Sequence, residues 1–139
     1  MPSPLLAEIE RYRPDLPLAE ACTPPASWYI DPRFLELELE TTFANTWQYA
    51  CRLDQVREPG QFVTLELAGE PLLVVRGNDG MLRGFFNVCR HHAAAVLAEP
   101  AGCVKRLRCP YHGWTYTLEG TLKAAPAFEG VRNFDPAAN

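Results

Sequence analysis

The chain has three histidines, and all three stand beside two of its five cysteines. The order is Cys89-Arg90-His91, then 17 residues, then Cys109-Pro110-Tyr111-His112. A C-x-H pair and a C-x-x-H pair together offer two thiolates and two imidazoles, the donor set of a metal centre. A single Zn2+ in a Cys2His2 tetrahedron fits that count. Zinc modules usually pair Cys with Cys and His with His, however, whereas mixed pairs on two loops suit two irons with unequal ligands. The inequality has a chemical consequence. A diferric cluster held by four thiolates carries two negative charges, and exchanging two thiolates for neutral imidazoles removes them. An electron enters a neutral centre more readily than a dianion, so the potential rises. The imidazoles also keep ionisable N–H groups, which couples electron transfer to proton transfer.

Short strands are expected to present these loops. Gln61 to Leu67 is rich in β-formers and follows Pro59-Gly60, and Leu72 to Arg76 is an apolar run. Gly77-Asn78-Asp79-Gly80 is a turn signal joining it to Leu82–Val88 as a hairpin. Val104–Arg108, Trp114–Leu118 and Thr121–Ala124 complete the set, the last two meeting at Glu119-Gly120. Each Cys/His pair then falls at the tip of a strand-to-strand loop. Upstream, Asp31-Pro32 reads as an N-cap and first-turn proline. Leu35, Leu37 and Leu39 alternate with Glu36, Glu38 and Glu40 at a strand period, while Leu35, Leu39, Phe43 and Trp47 form a helical stripe. The cap signal decides for helix. Residues 1–30 hold six of the 13 prolines and read as an extended arm with a short helical piece near Leu5–Arg11, anchored by Trp28 and Tyr29. The expected organisation is an arm over 1–30, a helix over 31–47 and a mainly β domain, a small barrel or sandwich, over 48–139.

Composition bounds the function. The chain has 139 residues, 47% hydrophobic and 22% charged, enough for one domain with a core and an arm. A net charge of −4 excludes a nucleic-acid binder driven by bulk charge. The longest apolar run, Ala93 to Ala98, is far too short to span a membrane. The N-terminus lacks a secretory pattern. Five cysteines suit metal binding in a reducing compartment, the cytoplasm, better than a disulfide framework. Charge is uneven along the chain. Five basic residues face 12 acidic ones before Arg76, whereas seven basic face three acidic from Arg76 to Lys123. Arg90, Lys105, Arg106 and Arg108 form a basic collar near the loops, suited to steering an acidic electron donor, or simply solvated strand faces.

The stretch Phe86-Asn87-Val88-Cys89-Arg90-His91 with Cys109-Pro110-Tyr111-His112-Gly113-Trp114 resembles the Rieske domain of ring-hydroxylating oxygenase α subunits. Ala93-Ala94 and Thr115-Tyr116 through Gly120 look most like the choline monooxygenase and carnitine oxygenase branch. Trp47-Gln48-Tyr49, Pro59-Gly60, Gly69-Glu70-Pro71 and Val75-Arg76 extend the similarity upstream, so that it covers roughly Asp31 to Phe134. The resemblance implies a [2Fe–2S] cluster with Cys89 and Cys109 on one iron and His91 and His112 on the other. It implies electron relay from an NAD(P)H-dependent reductase or ferredoxin to a mononuclear iron in a catalytic domain or neighbouring subunit. That iron needs two His and a carboxylate, and His92 alone is left over, so the chain is expected to be truncated before the catalytic domain. Residues 124–139 show no strand candidate, and the last strands are expected to be missing. Two other readings stand beside this one. A stand-alone Rieske ferredoxin would usually lack the helix and arm. The third is a structural or regulatory metal-binding module. The substrate class implied is a quaternary ammonium compound, with aromatic rings as the rival.

Departures from the pattern refine the expectation. His92 stands where the family usually has Arg; next to His91 it is expected to face solvent or support the site rather than reach the same iron. Respiratory-type Rieske proteins have Cys where this chain has Ala94 and Tyr111, so no bridge joins the loops. They also have Ser where Trp114 stands; without that hydroxyl donor the low end of the roughly −150 to +300 mV Rieske range is expected. Cys22, Cys51 and Cys103 are expected to be free thiols.

Overall fold

The computed structural model describes residues 4–128 and 130–135. Pro2, Pro136 and the end of the stretch read as strandless lie outside them. The chain divides into two compact units, Met1–Gln48 and Tyr49–Asn139.

In the first unit, helices α1 (Pro4–Ile9), α2 (Ser27–Ile30) and α3 (Pro32–Glu38) are joined by turns. Asp31 caps α3 by accepting from the Arg33 backbone N–H at 3.1 Å, with Pro32 in the first turn. The arm is therefore tied down rather than extended: Trp28 stacks on Phe34 at 5.6 Å and meets the edge of Tyr12 at 5.5 Å. Ser27 Oγ donates to Glu8 at 2.6 Å. Tyr29, expected to share the anchoring, is exposed. The helical stripe is also corrected. Phe34 is the buried residue of α3, while Leu35 and Trp47 are exposed. After Glu38 the ladder widens into a π-helical turn over Leu39–Phe43. Thr41 Oγ1 takes the Leu37 carbonyl, and the Asn45 amide takes those of Glu40 and Thr41. Side chains that occupy carbonyls in this way compete with the regular ladder.

The second unit is mainly β. Strands β1 (Gln61–Leu67), β2 (Glu70–Arg76), β3 (Leu82–Phe86) and β4 (Ala101–Cys103) form an antiparallel sheet in the order β3-β2-β1-β4. The hairpin at Gly77–Gly80 is as expected. Strands β5 (Leu107–Arg108), β6 (Thr115–Tyr116) and β7 (Leu122–Ala124) form a second sheet. The strand expected over Val104–Arg108 is corrected, because β4 ends at Cys103 in one sheet and β5 starts at Leu107 in the other. Gly60 explains the break. It sits at φ +85°, a region that costs glycine little, and a Cβ there would stand 2.3 Å from the Val104 carbonyl oxygen. The Val104 N–H donates to the Gly60 carbonyl at 2.9 Å. Pinned there, the chain bends at Lys105-Arg106 into the second sheet. One apolar core serves both sheets, with Phe62, Leu73 and Val75 from the first and Leu107, Tyr116 and Leu122 from the second. Residues after β7 return to it: Phe128 and Phe134 pack on Trp114 at 5.1 and 5.6 Å.

Candidate metal centre

Two loops with the same backbone carry the four predicted ligands. In the first, the Cys89 N–H donates to the Ala94 carbonyl and the Ala93 N–H donates back to Cys89, both at 2.8 Å. In the second, the Cys109 N–H donates to the Trp114 carbonyl at 2.8 Å and the Gly113 N–H to Cys109 at 3.1 Å. Each turn needs a left-handed residue at its fifth position. Gly113 supplies it at φ +76°, and Ala93 supplies it at φ +56°.

The loops are held at their bases by different means. Strands β5 and β6 pair Arg108 with Thr115 directly behind the second. The first has only an isolated bridge between Val88 and Ala95, reinforced by Asn87. That buried side chain donates to the Leu97 carbonyl at 2.7 Å and accepts from the Leu97 N–H at 3.0 Å. It acts as a strand partner made from an amide. Asn87 lies in the stretch quoted for the resemblance, but its clamp reaches ten residues along the chain and has no local signal.

Cys89 and Cys109 are each only 2% exposed. The imidazoles of His91 and His112 approach edge to face with centroids 4.8 Å apart. They differ in cover. His91 lies flat against Trp114, 4.7 Å away and inclined by 2°, and against the edge of Phe128. His112 is exposed beside Tyr111. Burial above all, then the neighbouring His92 and His112, holds His91 below its ordinary pKa, which favours the neutral imidazole that can act as a ligand. Tyr116, singled out by no spacing in the sequence, completes the site. Its hydroxyl stands 3.4 Å from Cys89 Sγ and accepts from the Arg90 N–H at 3.1 Å. Burial first, then the bond to Cys89, pushes its phenol up to about 12.

The donors fit a two-iron group. His91 Nδ1 is buried without a hydrogen-bond partner; such an orphan is costly unless something else fills the position. The donor atoms of His91, His92 and His112 lie within 4.8 Å of one another, and neither thiol belongs to that group among the described residues. A single tetrahedral ion would draw all four sulfur and nitrogen donors into one shell. A centre with sulfur on one side and nitrogen on the other needs no such shell.

His92 is exposed, as expected, yet its donor is close to those of His91 and His112. Cys22 and Cys103 are exposed free thiols, and Cys51 is a half-buried one whose pKa burial raises. The four collar residues are exposed and carry no ion pair among the described residues, whereas Arg11, Arg13, Arg33, Arg52 and Arg83 each hold a carboxylate. Among the described residues no helix is long and apolar enough to cross a membrane.

Known proteins share both sequence and fold. The chain is 40% identical over 126 residues to the choline monooxygenase, chloroplastic, of Arabidopsis thaliana, covering 91% of this chain and 30% of that protein. It is 38% identical over 116 residues to the carnitine monooxygenase oxygenase subunit of Escherichia coli (strain K12), covering 84% and 31%. The apo form of a quaternary ammonium Rieske monooxygenase superposes with a TM-score of 0.79 at 33% identity, covering 85% of this chain and 34% of that one. The chain thus spans about a third of the length of these relatives. The family profile of the Rieske [2Fe-2S] domain matches residues 46–135. With that match over more than half its length, the chain belongs to the Rieske [2Fe–2S] domain family, whose cofactor is a [2Fe–2S] cluster.

Proposed function

We propose that this chain is the electron-relaying part of a Rieske non-heme iron oxygenase. In this reading Cys89 and Cys109 hold one iron of the cluster and His91 and His112 the other. The observation that carries it is the pair of matching loops, each delivering one buried thiol and one imidazole, with His91 Nδ1 left without a protein partner.

When bound, the cluster takes up and gives back one electron at a time. The protein side chains do the rest. The two buried cysteines bind as thiolates and exclude water from the sulfur side. Tyr116 donates its hydroxyl proton toward Cys89 Sγ and is oriented by the Arg90 N–H. Trp114 and Phe128 fix the plane of His91. His112, the exposed imidazole, marks the side from which a partner can approach most closely.

The likeness to oxygenases supports three further roles. The electron donor is an NAD(P)H-dependent reductase or a ferredoxin with an acidic docking face, and the exposed basic collar of Arg90, Lys105, Arg106 and Arg108 supports that polarity. The acceptor is a mononuclear iron in a catalytic domain or neighbouring subunit, acting on a quaternary ammonium compound. The match to choline monooxygenase extends well into the N-terminal unit, which favours an oxygenase subunit over a stand-alone ferredoxin. Unbridged cysteines suit a reducing compartment such as the cytoplasm.

The test is chemical. The isolated chain is expected to contain iron and acid-labile sulfide in equal amounts and, after reduction by dithionite, to give the EPR signal of a nitrogen-ligated mixed-valence pair. Serine at Cys89 or Cys109 is expected to abolish both. Zinc held by Cys89 and Cys109 in place of iron, or cluster retention after either substitution, would refute the ligand assignment. Charge reversal at Lys105 and Arg106 is expected to slow reduction by an acidic ferredoxin at low salt.

A further inference from the structure

His92 is the chemically active residue that the proposed relay leaves unused. It is exposed, and its ring lies 4.0 Å from His91 and 5.4 Å from His112, centroid to centroid. With the 4.8 Å between His91 and His112, the three rings form a closed triangle. Their donor nitrogens all lie within 4.8 Å of one another, and no other group of three or more metal-ligating side chains converges like this among the described residues. Neither Cys89 nor Cys109 takes part.

We propose that the cluster-free chain binds one divalent transition-metal ion through His91, His92 and His112. Three imidazoles and a water make a familiar first shell for Zn2+, and imidazole also suits Cu2+, Ni2+ and Co2+. In such a shell the nitrogens stand roughly 3.3 Å apart, given metal–nitrogen distances of about 2.0–2.1 Å. The widest present separation must therefore close by about 1.5 Å. His92 and His112 are exposed and can make that adjustment by side-chain rotation, while His91 stays fixed against Trp114. Copper and nickel stand above iron in the Irving–Williams order, so such an ion would outcompete ferrous iron for these nitrogens.

A second consequence rests on the ligand assignment proposed above. Since His91 and His112 serve both centres, a bound divalent ion and the cluster exclude each other. The three-imidazole site would then be a point at which copper, nickel or zinc blocks cluster loading.

Cobalt reports both geometry and ligand type. Iron and sulfide are counted in the full chain as isolated, which tests the cluster assignment by itself. The cluster is then removed, retention of the β-sheet signal is checked by circular dichroism, and Co2+ is titrated in. The expected result is one Co2+ per chain, with ligand-field bands and no thiolate charge-transfer band. His92→Asn is expected to weaken binding roughly 100-fold, the upper end of what even an outer partner of a metal ligand is worth. The cobalt-loaded chain is expected to take up no iron and sulfide until the cobalt is chelated. A thiolate charge-transfer band, an unchanged affinity in His92→Asn, or loss of the β signal on cluster removal would each overturn the three-imidazole site. Cluster reconstitution at full cobalt occupancy would overturn mutual exclusion. A chain lacking iron and sulfide as isolated would count against the cluster assignment, while the cobalt spectrum still decides the imidazole site.

Discussion

Around Cys89 and around Cys109 the backbone makes the same two hydrogen bonds, yet the first loop passes through the left-handed region on Ala93 and the second on Gly113. The second loop grows out of a strand pair; the first hangs from one bridge and the Asn87 amide. The first loop's thiol has a hydroxyl partner in Tyr116, and its half-buried imidazole packs against Trp114 and Phe128. The second loop's imidazole is open to solvent. One turn geometry thus presents the proposed ligands, while long-range contacts decide how stiff, how polar and how accessible each half of the site is.

The largest expected effect is on the suspension of the first loop. Asn87→Ala leaves the Leu97 N–H and carbonyl without their partner, and a buried polar group left unpaired costs about 1–3 kcal/mol. Chemical denaturation is expected to show that loss, with amide exchange speeding up around Cys89 and not around Cys109. Equal exchange in both loops would mean that Asn87 is not the clamp. Next comes the thiol asymmetry. A hydrogen bond to a charged group contributes about 1.5–3 kcal/mol, and Tyr116→Phe removes the hydroxyl that faces Cys89. The midpoint potential of the loaded chain is expected to fall, because less sulfur charge is stabilised. An unchanged potential would show that the hydroxyl points elsewhere once the cluster is bound.

Smaller effects test the turns. Left-handed backbone costs a non-glycine residue about 1–2 kcal/mol. Gly113→Ala should destabilise by about 1 kcal/mol through backbone strain. Its new Cβ would meet only ordinary contacts, 3.5 Å from Arg108 and 3.6 Å from Pro126. Ala93→Gly should be neutral or slightly stabilising, since relief of strain is partly offset by a freer unfolded chain. The two thermal shifts are therefore expected to have opposite signs or to differ clearly in size. The smallest effect lies outside both loops and serves as their reference. The Arg83 guanidinium, then the Met81 backbone N–H, holds the Asp79 carboxyl far below the usual carboxylate range. A carboxyl depressed on folding adds stability above its unfolded pKa, and that stability is lost as pH falls toward the folded value. Asp79→Asn is expected to flatten the acid limb of the stability profile and leave both loops untouched.

Much of this was readable from the chain because it is written in short intervals. The Cys/His spacing, the Gly77–Gly80 turn, the Glu119-Gly120 turn and the Asp31-Pro32 cap all lie within four residues, and each leaves a compositional mark. What escaped reading depends on partners far along the chain. Tyr116 reaches Cys89 across 27 residues, and Asn87 reaches Leu97 across ten. Two-residue strands such as β5 carry no period, so Val104–Arg108 reads as one strand until Gly60 is found holding Val104. Ala93 looks like part of an apolar run, because nothing about alanine announces a positive φ. The stripe ending at Trp47 failed because threonine and asparagine side chains, not apolar faces, set the course of the helix after Glu38.

Only Val104, Lys105 and Arg106 separate the last residue of the first sheet from the first residue of the second, and the two sheets share a single apolar interior. So short a tether leaves the second sheet little room to swing on its base. For the electron relay proposed above, that stiffness is an asset: the less the surroundings must rearrange at each exchange, the lower the barrier to the transfer.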